Sequence, residues 1–237
     1  MNLENENYMF LKEFALAQSA SLFGVADVSG KKEYFNIYPP ELLSKMNRAV
    51  SIGYHLSDAV METIIDKPNR LYYRHYKMAN MFLDQVALKI GEQIQRKGYN
   101  YIPIPASQML EWKVCGERVS HASHRAIAQL AGLGWRGRNS LLVNPKYGSR
   151  ARYVSILTDL PLKADKPMEA DCGKCKICMG MCPAGAITEQ GYDLEACHQL
   201  LQGFGKTLHV SLICGVCQKA CRGNNPLVNI KEQVWEK

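Results

Sequence analysis

The chain has 237 residues, of which 47% are hydrophobic and 22% charged, which suits a globular protein of one large or two small domains with a packed core. Its first residues, Met1 to Tyr8, are acidic and polar, so no secretory signal or transit peptide is expected there. No apolar run approaches the ~18 residues that span a bilayer, and the expectation is a soluble, cytoplasmic protein without membrane contact. The formal charge is +7 and unevenly spread. From Arg118 to Arg152 there is no Asp or Glu, while Arg125, Arg136, Arg138, Lys146, Arg150, His121 and His124 all lie between. Such a run suits an anionic neighbour such as a phosphate, a carboxylate or a nucleic-acid backbone. It also suits a plain solvated face.

Taken in chain order, residues 4–22 read as an N-terminal helix with Tyr8, Leu11, Ala15 and Leu22 near one face. Residues 23–28 form a short strand candidate. Pro39-Pro40 opens a helix through Met46, because proline suits a first turn, and residues 49–55 read as a buried strand. From Leu71 to Lys97, Tyr72, Tyr76, Ala79, Leu83, Val86, Ile90 and Ile94 step by three and four, which is one apolar helix face, with Gly98 as terminator. Residues 101–105, with two prolines, are extended. Ser120 or Ser123 caps a helix to about Leu130, and residues 141–143 and 153–158 look like strands. The polar, proline-containing stretch 162–170 is the expected boundary between domains 1–165 and 166–237. The fold class is α+β, with a second domain built around metal.

That second domain carries Cys172-x2-Cys175-x2-Cys178-x3-Cys182-Pro183, the iron–sulfur spacing of bacterial two-cluster ferredoxins. Cys197 and Cys214-x2-Cys217-x3-Cys221 follow. Two-residue gaps wrap a loop around one face of a cubane, and the fourth cysteine of such a run ligates the other cluster. The expected sets are therefore crossed: Cys172, Cys175, Cys178 and Cys221 hold one [4Fe–4S] cluster, and Cys182, Cys197, Cys214 and Cys217 the other. Two oxidised clusters on eight thiolates would add a charge of about −4, leaving the loaded protein at about +3. The alternatives are zinc, which prefers paired C-x2-C units, and disulfides, which need an oxidising compartment. Cys115, the ninth cysteine, reads as a small buried residue or a nucleophile.

A second stretch stands out, Gly132-Leu-Gly-Trp-Arg-Gly-Arg-Asn-Ser-Leu-Leu-Val-Asn144. Glycines this dense let backbone approach something flat or bulky. The letters match a dinucleotide fingerprint, but the stretch follows a helix and precedes a strand, the reverse of that motif's setting.

This stretch, then Leu157-Thr-Asp-Leu-Pro-Leu162, then the Cys172 run closely resembles the epoxyqueuosine reductase family, from about Leu71 to Asn225. The resemblance implies a cobalamin-binding N-terminal α/β domain related to nitroreductase-like flavin folds. It implies a C-terminal ferredoxin-like module with two [4Fe–4S] clusters, fed by a donor such as a ferredoxin or flavodoxin. Family members reduce the epoxide of epoxyqueuosine in tRNA, and reductive dehalogenases share the plan. By this resemblance Ser123, Arg125, Gly134, Trp135, Gly137, Arg138 and Asn139 are candidates to contact corrinoid or substrate. The family's catalytic Asp aligns without gaps on Arg118, with Glu117 the nearest acid. Opening an epoxide needs a proton donor, and His121 and His124, titrating near neutrality, are candidates beside Glu117 and Arg118. Longer members carry a helical-repeat tail that helps hold tRNA, whereas this chain ends 16 residues after Cys221. The rival reading is a non-catalytic electron carrier, or a reductive activator of a corrinoid partner, that binds no cobalamin itself.

Overall fold

The structure, a computed structural model, describes residues 2–107, 111–112 and 118–223, with the backbone alone at 111–112 and 118–119. Cys115 and Glu117 lie outside the described residues. The elements in order are α1 (Leu3–Ala17), β1 (Leu22–Asp27), 3₁₀ turns at Lys32–Tyr34 and Pro40–Lys45, β2 (Arg48–His55), α2 (Asp58–Glu62), α3 (Arg70–Arg96), β3 (Tyr101–Ile104), β4 (Glu111–Trp112), β5 (Arg118–Val119), α4 (His124–Leu130), β6 (Trp135–Arg136), β7 (Leu142–Val143), β8 (Ala151–Thr158), α5 (Ile177–Met181), α6 (Leu194–Leu208) and α7 (Val216–Ala220). The chain divides into two compact units. One comprises Met1–Tyr54, Ala79–Leu133 and Arg152–Met168, the other His55–Met78, Gly134–Ala151 and Glu169–Lys237. One crossing, at Met168–Glu169, falls in the polar stretch singled out above. The segments 55–78 and 134–151, which carry no cysteine, nevertheless pack with the cysteine-rich one.

The first unit is built on a four-stranded sheet of order β1-β2-β8-β3. β1 runs antiparallel to β2, with Leu22 opposite Gly53, and β3 antiparallel to β8, with Ile104 opposite Ser155. Tyr8, Leu11 and Ala15 of α1, Leu83, Val86, Ile90 and Ile94 of α3, and Val25, Val50, Ile52, Val154 and Ile156 of the sheet form one buried cluster. The α3 residues are those of the three-and-four pattern, and Gly98 at φ 85° stops the chain from continuing the helix. α1 is shorter than its sequence pattern suggests. Asn2 caps it by accepting the Asn5 N–H at 3.0 Å. It stops at Ala17 because Ser19 turns left-handed, φ 68°, and the Ala20 N–H returns to Ala15 O at 3.1 Å. Leu22 thus opens a strand and does not extend the helix face. The expected helix after Pro39 is a six-residue 3₁₀ turn, Pro40–Lys45, the form short runs adopt.

In the second unit, β6 and β7 form a hairpin with Trp135 opposite Val143, and α5 packs against α7. Asp193 caps α6 by accepting the Ala196 N–H at 3.0 Å. Among the described residues no helix is long and apolar enough to cross a membrane.

Asp165 ties three parts of the first unit together. Its carboxylate accepts from the Val25 N–H at 2.9 Å and from the Tyr8 hydroxyl at 3.1 Å, and its own N–H donates to Val25 O at 2.8 Å. Burial, then the Asp165 charge, pushes the Tyr8 phenol up to about 12. Replacing Asp165 with Ala strands those donors, so chemical denaturation should show a loss of about 1–3 kcal/mol.

Candidate functional site

The cysteine segment builds two similar turns. Cys178 sits inside α5 and Cys217 inside α7, and each short helix ends on a cysteine, Cys182 or Cys221. Both end cysteines leave the helix in extended backbone, at φ −71°, ψ 114° and φ −90°, ψ 112°. For Cys182 the cause is Pro183, which bars a helical predecessor. Cys197 enters from the first turn of α6.

The thiols act on one another mostly within the two expected sets. Burial first, then Cys221, Cys172 and Cys175, push Cys178 up to about 11. Burial, then Cys197 and Cys182, push Cys214 up to about 11. Cys217 is raised further still by burial and by Cys214, Cys182, Cys197 and, across the sets, Cys178, in that order. Cys221 is raised by burial, with Cys172 among its neighbours. A thiol is raised when its ionised form lacks a cation, and metal binding reverses that by deprotonating it outright. All eight described cysteines are free, so no disulfide joins any two of them. A small cavity of about 40 Å³ is lined by Cys172, Cys175, Cys178 and Cys221 together with Trp135, Arg138 and Asn139. Among the described residues no group of three His, Cys, Asp or Glu side chains could hold a single metal ion. Free thiols are the donors that iron–sulfur clusters take, and four of them line this cavity.

The segments 134–151 and 55–78 supply the support. Arg138 donates from Nε to Cys175 O at 3.1 Å and from Nη2 to Gly173 O at 2.8 Å. Asn139 Nδ2 donates to Ser149 Oγ at 3.1 Å and to Cys217 O at 3.4 Å. Gln218 Nε2 donates to Ser149 O at 2.8 Å, and the Tyr72 hydroxyl donates to Gln218 Oε1 at 2.8 Å. Arg150, with its side chain 3% exposed, pairs with Asp58 at 2.7 Å and Glu62 at 2.9 Å and donates from Nε to Lys219 O at 3.0 Å. Cys221 in turn accepts from Ser149 and from the Gly223 N–H, which offsets part of its rise. Sequence reasoning missed Tyr72, Ser149 and Gln218. Their only signal was polarity inside otherwise apolar or cysteine-rich runs.

Two sequence expectations change here. The glycines do not leave room for a flat ligand, because the chain itself fills the space. An added Cβ would lie 2.1 Å from Val143 O at Gly134 and 2.5 Å from the Val143 side chain at Gly137. At Gly132 it would lie 2.5 Å from Lys166 O. Nor is the acid-free run one anion-facing surface. Arg138 and Arg150 serve the cysteine loops, and Arg152 donates to Asn80 Oδ1 at 2.9 Å and Ala106 O at 3.0 Å.

The remaining candidates belong to the first unit. A cavity of about 910 Å³ is lined by Tyr34, Phe35, Asn36, Ser120, Ser123 and Leu130, among others. Ser123 caps α4, accepting the Ala126 N–H at 3.3 Å, which decides between the two serines. Nothing in the sequence periodicity marked residues 31–36 as a cavity wall. His121 Nδ1–H donates to Asn36 O at 2.9 Å. Arg118 lies in β5, opposite Trp112. Arg125 follows the first residue of α4. His124 does not suit proton transfer at neutral pH. Its Nε2–H donates to Pro105 O at 2.7 Å and its Nδ1 accepts from Ser155 Oγ at 2.9 Å. Burial, and less so the Arg152 charge, lowers it to about 4 against the pull of the Pro105 bond.

No family model matches the chain. An epoxyqueuosine reductase of Salmonella typhimurium is 35% identical over 166 residues, which is 67% of this chain and 40% of that relative. The chain thus spans well under half the length of that curated relative. Among solved structures, a reductive dehalogenase described for B12-dependent dehalogenation is 20% identical with a TM-score of 0.75, covering 93% of this chain and 32% of that one. An epoxyqueuosine reductase with a tRNA-Tyr epoxyqueuosine-modified tRNA stem loop is 19% identical with a TM-score of 0.61, covering 91% of this chain and 64% of that one. The mixed helix and sheet architecture resembles that of both proteins.

His124 generates a test. Its folded pKa lies below the ordinary 6.5, so the stability it contributes is full above about pH 6.5 and is lost as pH falls toward about 4. Histidine NMR should show one imidazole titrating near 4, and that transition should disappear in His124→Gln.

Proposed function

We propose that this chain, a relative of the epoxyqueuosine reductases, is an iron–sulfur oxidoreductase that carries electrons through two [4Fe–4S] clusters to a corrinoid at which an organic substrate is reduced. The observation that carries this reading is four free thiols, Cys172, Cys175, Cys178 and Cys221, on one cavity wall, with Cys182, Cys197, Cys214 and Cys217 close enough to act on one another. Residues 166–237 are the ferredoxin-like module, supported by 55–78 and 134–151. Residues 1–165 hold a nitroreductase-like corrinoid and substrate site. When bound, the clusters supply single-electron transfer and the corrinoid supplies a reducible cobalt.

The chain's own residues bind, orient and exclude water. Arg138 and Arg150 fix the loops that present Cys175 and Cys217 to Cys221. Tyr34, Phe35 and Leu130 give the first unit's cavity an apolar wall, and Ser120, Ser123 and Asn36 give it polar points. That combination, at this volume, is what small-molecule sites use. His121, bonded to Asn36 of that wall, is the candidate proton donor beside it. The substrate is of the epoxyqueuosine type, with tRNA as the macromolecule that presents it, and the donor is a ferredoxin or flavodoxin.

Anaerobic purification should give about eight irons per chain. Cys197→Ser should lose about half of them, with the cluster of Cys172, Cys175 and Cys178 retained. Equal loss of both clusters from folded protein would count against the crossed sets. Hydroxocobalamin titrated into the anaerobic protein should bind saturably, and no binding at high micromolar cofactor would favour an electron carrier that binds no corrinoid.

With Arg118 where the resemblance places an acid, conversion of epoxyqueuosine tRNA should be weak. Positioned general acids are worth about 10²–10⁴-fold, so Arg118→Asp should raise turnover at least ~10-fold. No gain, in a variant that still binds both cofactors, would remove epoxyqueuosine from consideration.

A further inference from the structure

Trp135 is 2% exposed, and its Nε1 is one of three buried side-chain polar atoms among the described residues with no hydrogen-bond partner. The other two, Ser51 Oγ and Tyr153 OH, line neither cavity described above. Trp135 lines the one walled by Cys172, Cys175, Cys178 and Cys221. A buried indole N–H ordinarily finds an acceptor, and it can only donate. Its position is fixed. β6 pairs with β7, placing Trp135 opposite Val143, and Gly134 before it holds φ 155° in a spot where a Cβ would collide with Val143 O. The polar neighbours in that wall are donors already spent on backbone carbonyls: Arg138 on Cys175 O and Gly173 O, Asn139 on Cys217 O. Arg222, another charged residue of that wall, pairs with Glu62, and four cysteines bring their sulfurs to the same wall.

We infer that the Trp135 indole N–H donates a hydrogen bond to a sulfur of the cluster held by Cys172, Cys175, Cys178 and Cys221, and thereby raises the reduction potential of that cluster. The inference rests on the cluster reading above. Its physical basis is simple. Adding one electron makes the sulfurs more negative, so a fixed donor stabilises the reduced form more than the oxidised one. Hydrogen bonds to the sulfurs are among the levers that set such potentials. The electron comes from an external reductant, the N–H proton stays on nitrogen, and no bond is made or broken elsewhere. Trp135 is in this sense a positioning residue, and its role does not depend on what the substrate is.

The test uses the anaerobic, cluster-loaded chain titrated with dithionite and followed by EPR. Trp135→Phe keeps most of the ring and removes only the donor. It should make reduction of one cluster about tenfold less favourable, a shift of about 59 mV for one electron, and leave the other unchanged. Iron content near that of the parent shows that the clusters are present, so an unshifted potential overturns this inference while leaving the cluster reading intact. Should the variant fail to fold, the parent protein answers the question. With tryptophan labelled by ¹⁵N in the indole, pulsed EPR of the reduced state should show a ¹⁵N coupling. No coupling in protein with full iron content overturns the inference, and absence of iron–sulfur signals overturns the reading beneath it.

Discussion

Thiolates brought together away from water repel one another and lose hydration, and everything distinctive in the second unit answers that constraint. Cys178, Cys214, Cys217 and Cys221 are all pushed up, with burial the first cause and neighbouring thiols among the others. Without a cation inside each set the segment would keep its protons. With one, the remaining task is to hold the loops still. Hydrogen bonds from Arg138, Asn139 and Arg150 to the carbonyls of Cys175, Cys217 and Lys219 do that from segments remote in sequence. Such donors leave the sulfurs free for metal while satisfying backbone that would otherwise be buried unpaired.

Arg150 shows how such support is anchored. A guanidinium this enclosed needs partners. It has Asp58 and Glu62 on one side and Lys219 O on the other, while Lys219 and Arg222 also reach Glu62. The acid-free run from Arg118 to Arg152 therefore owes part of its character to carboxylates that lie outside it in sequence. Charge read along the chain missed this because the complementing acids come from α2.

Regular elements were largely legible, because periodicity reports burial directly: α3, β2 and β8 sit where their apolar patterns put them. The misses have local causes. α1 ends early because Ser19 turns left-handed, a choice apolar spacing does not encode, and Pro40–Lys45 is too short for an α-helix. The cysteine spacing made Cys221 the partner of Cys172, Cys175 and Cys178; Cys221 heads the thiols acting on Cys178, while Cys178 also acts on Cys217 of the other expected set. The histidines were not legible. Whether an imidazole titrates at neutrality depends on what encloses it, and Ser155 and Pro105 reach His124 from 31 and 19 positions away. The dense glycines carried a real signal of close approach, but the approaching group is the chain's own backbone.

The second unit is assembled from three stretches, 55–78, 134–151 and the chain from 169 onward. Its ligands and their supports are thus far apart in sequence, 160 positions at the extreme between Glu62 and Arg222. A ribosome releases Asp58, Glu62 and Tyr72 long before Gln218 and Cys221 exist. Neither cysteine set can be completed until these later residues have emerged, since one set waits for Cys221 and the other for Cys214 and Cys217. Until then the early supports have no cysteine loop to hold, so the order of synthesis places the scaffold before the thiols it steadies.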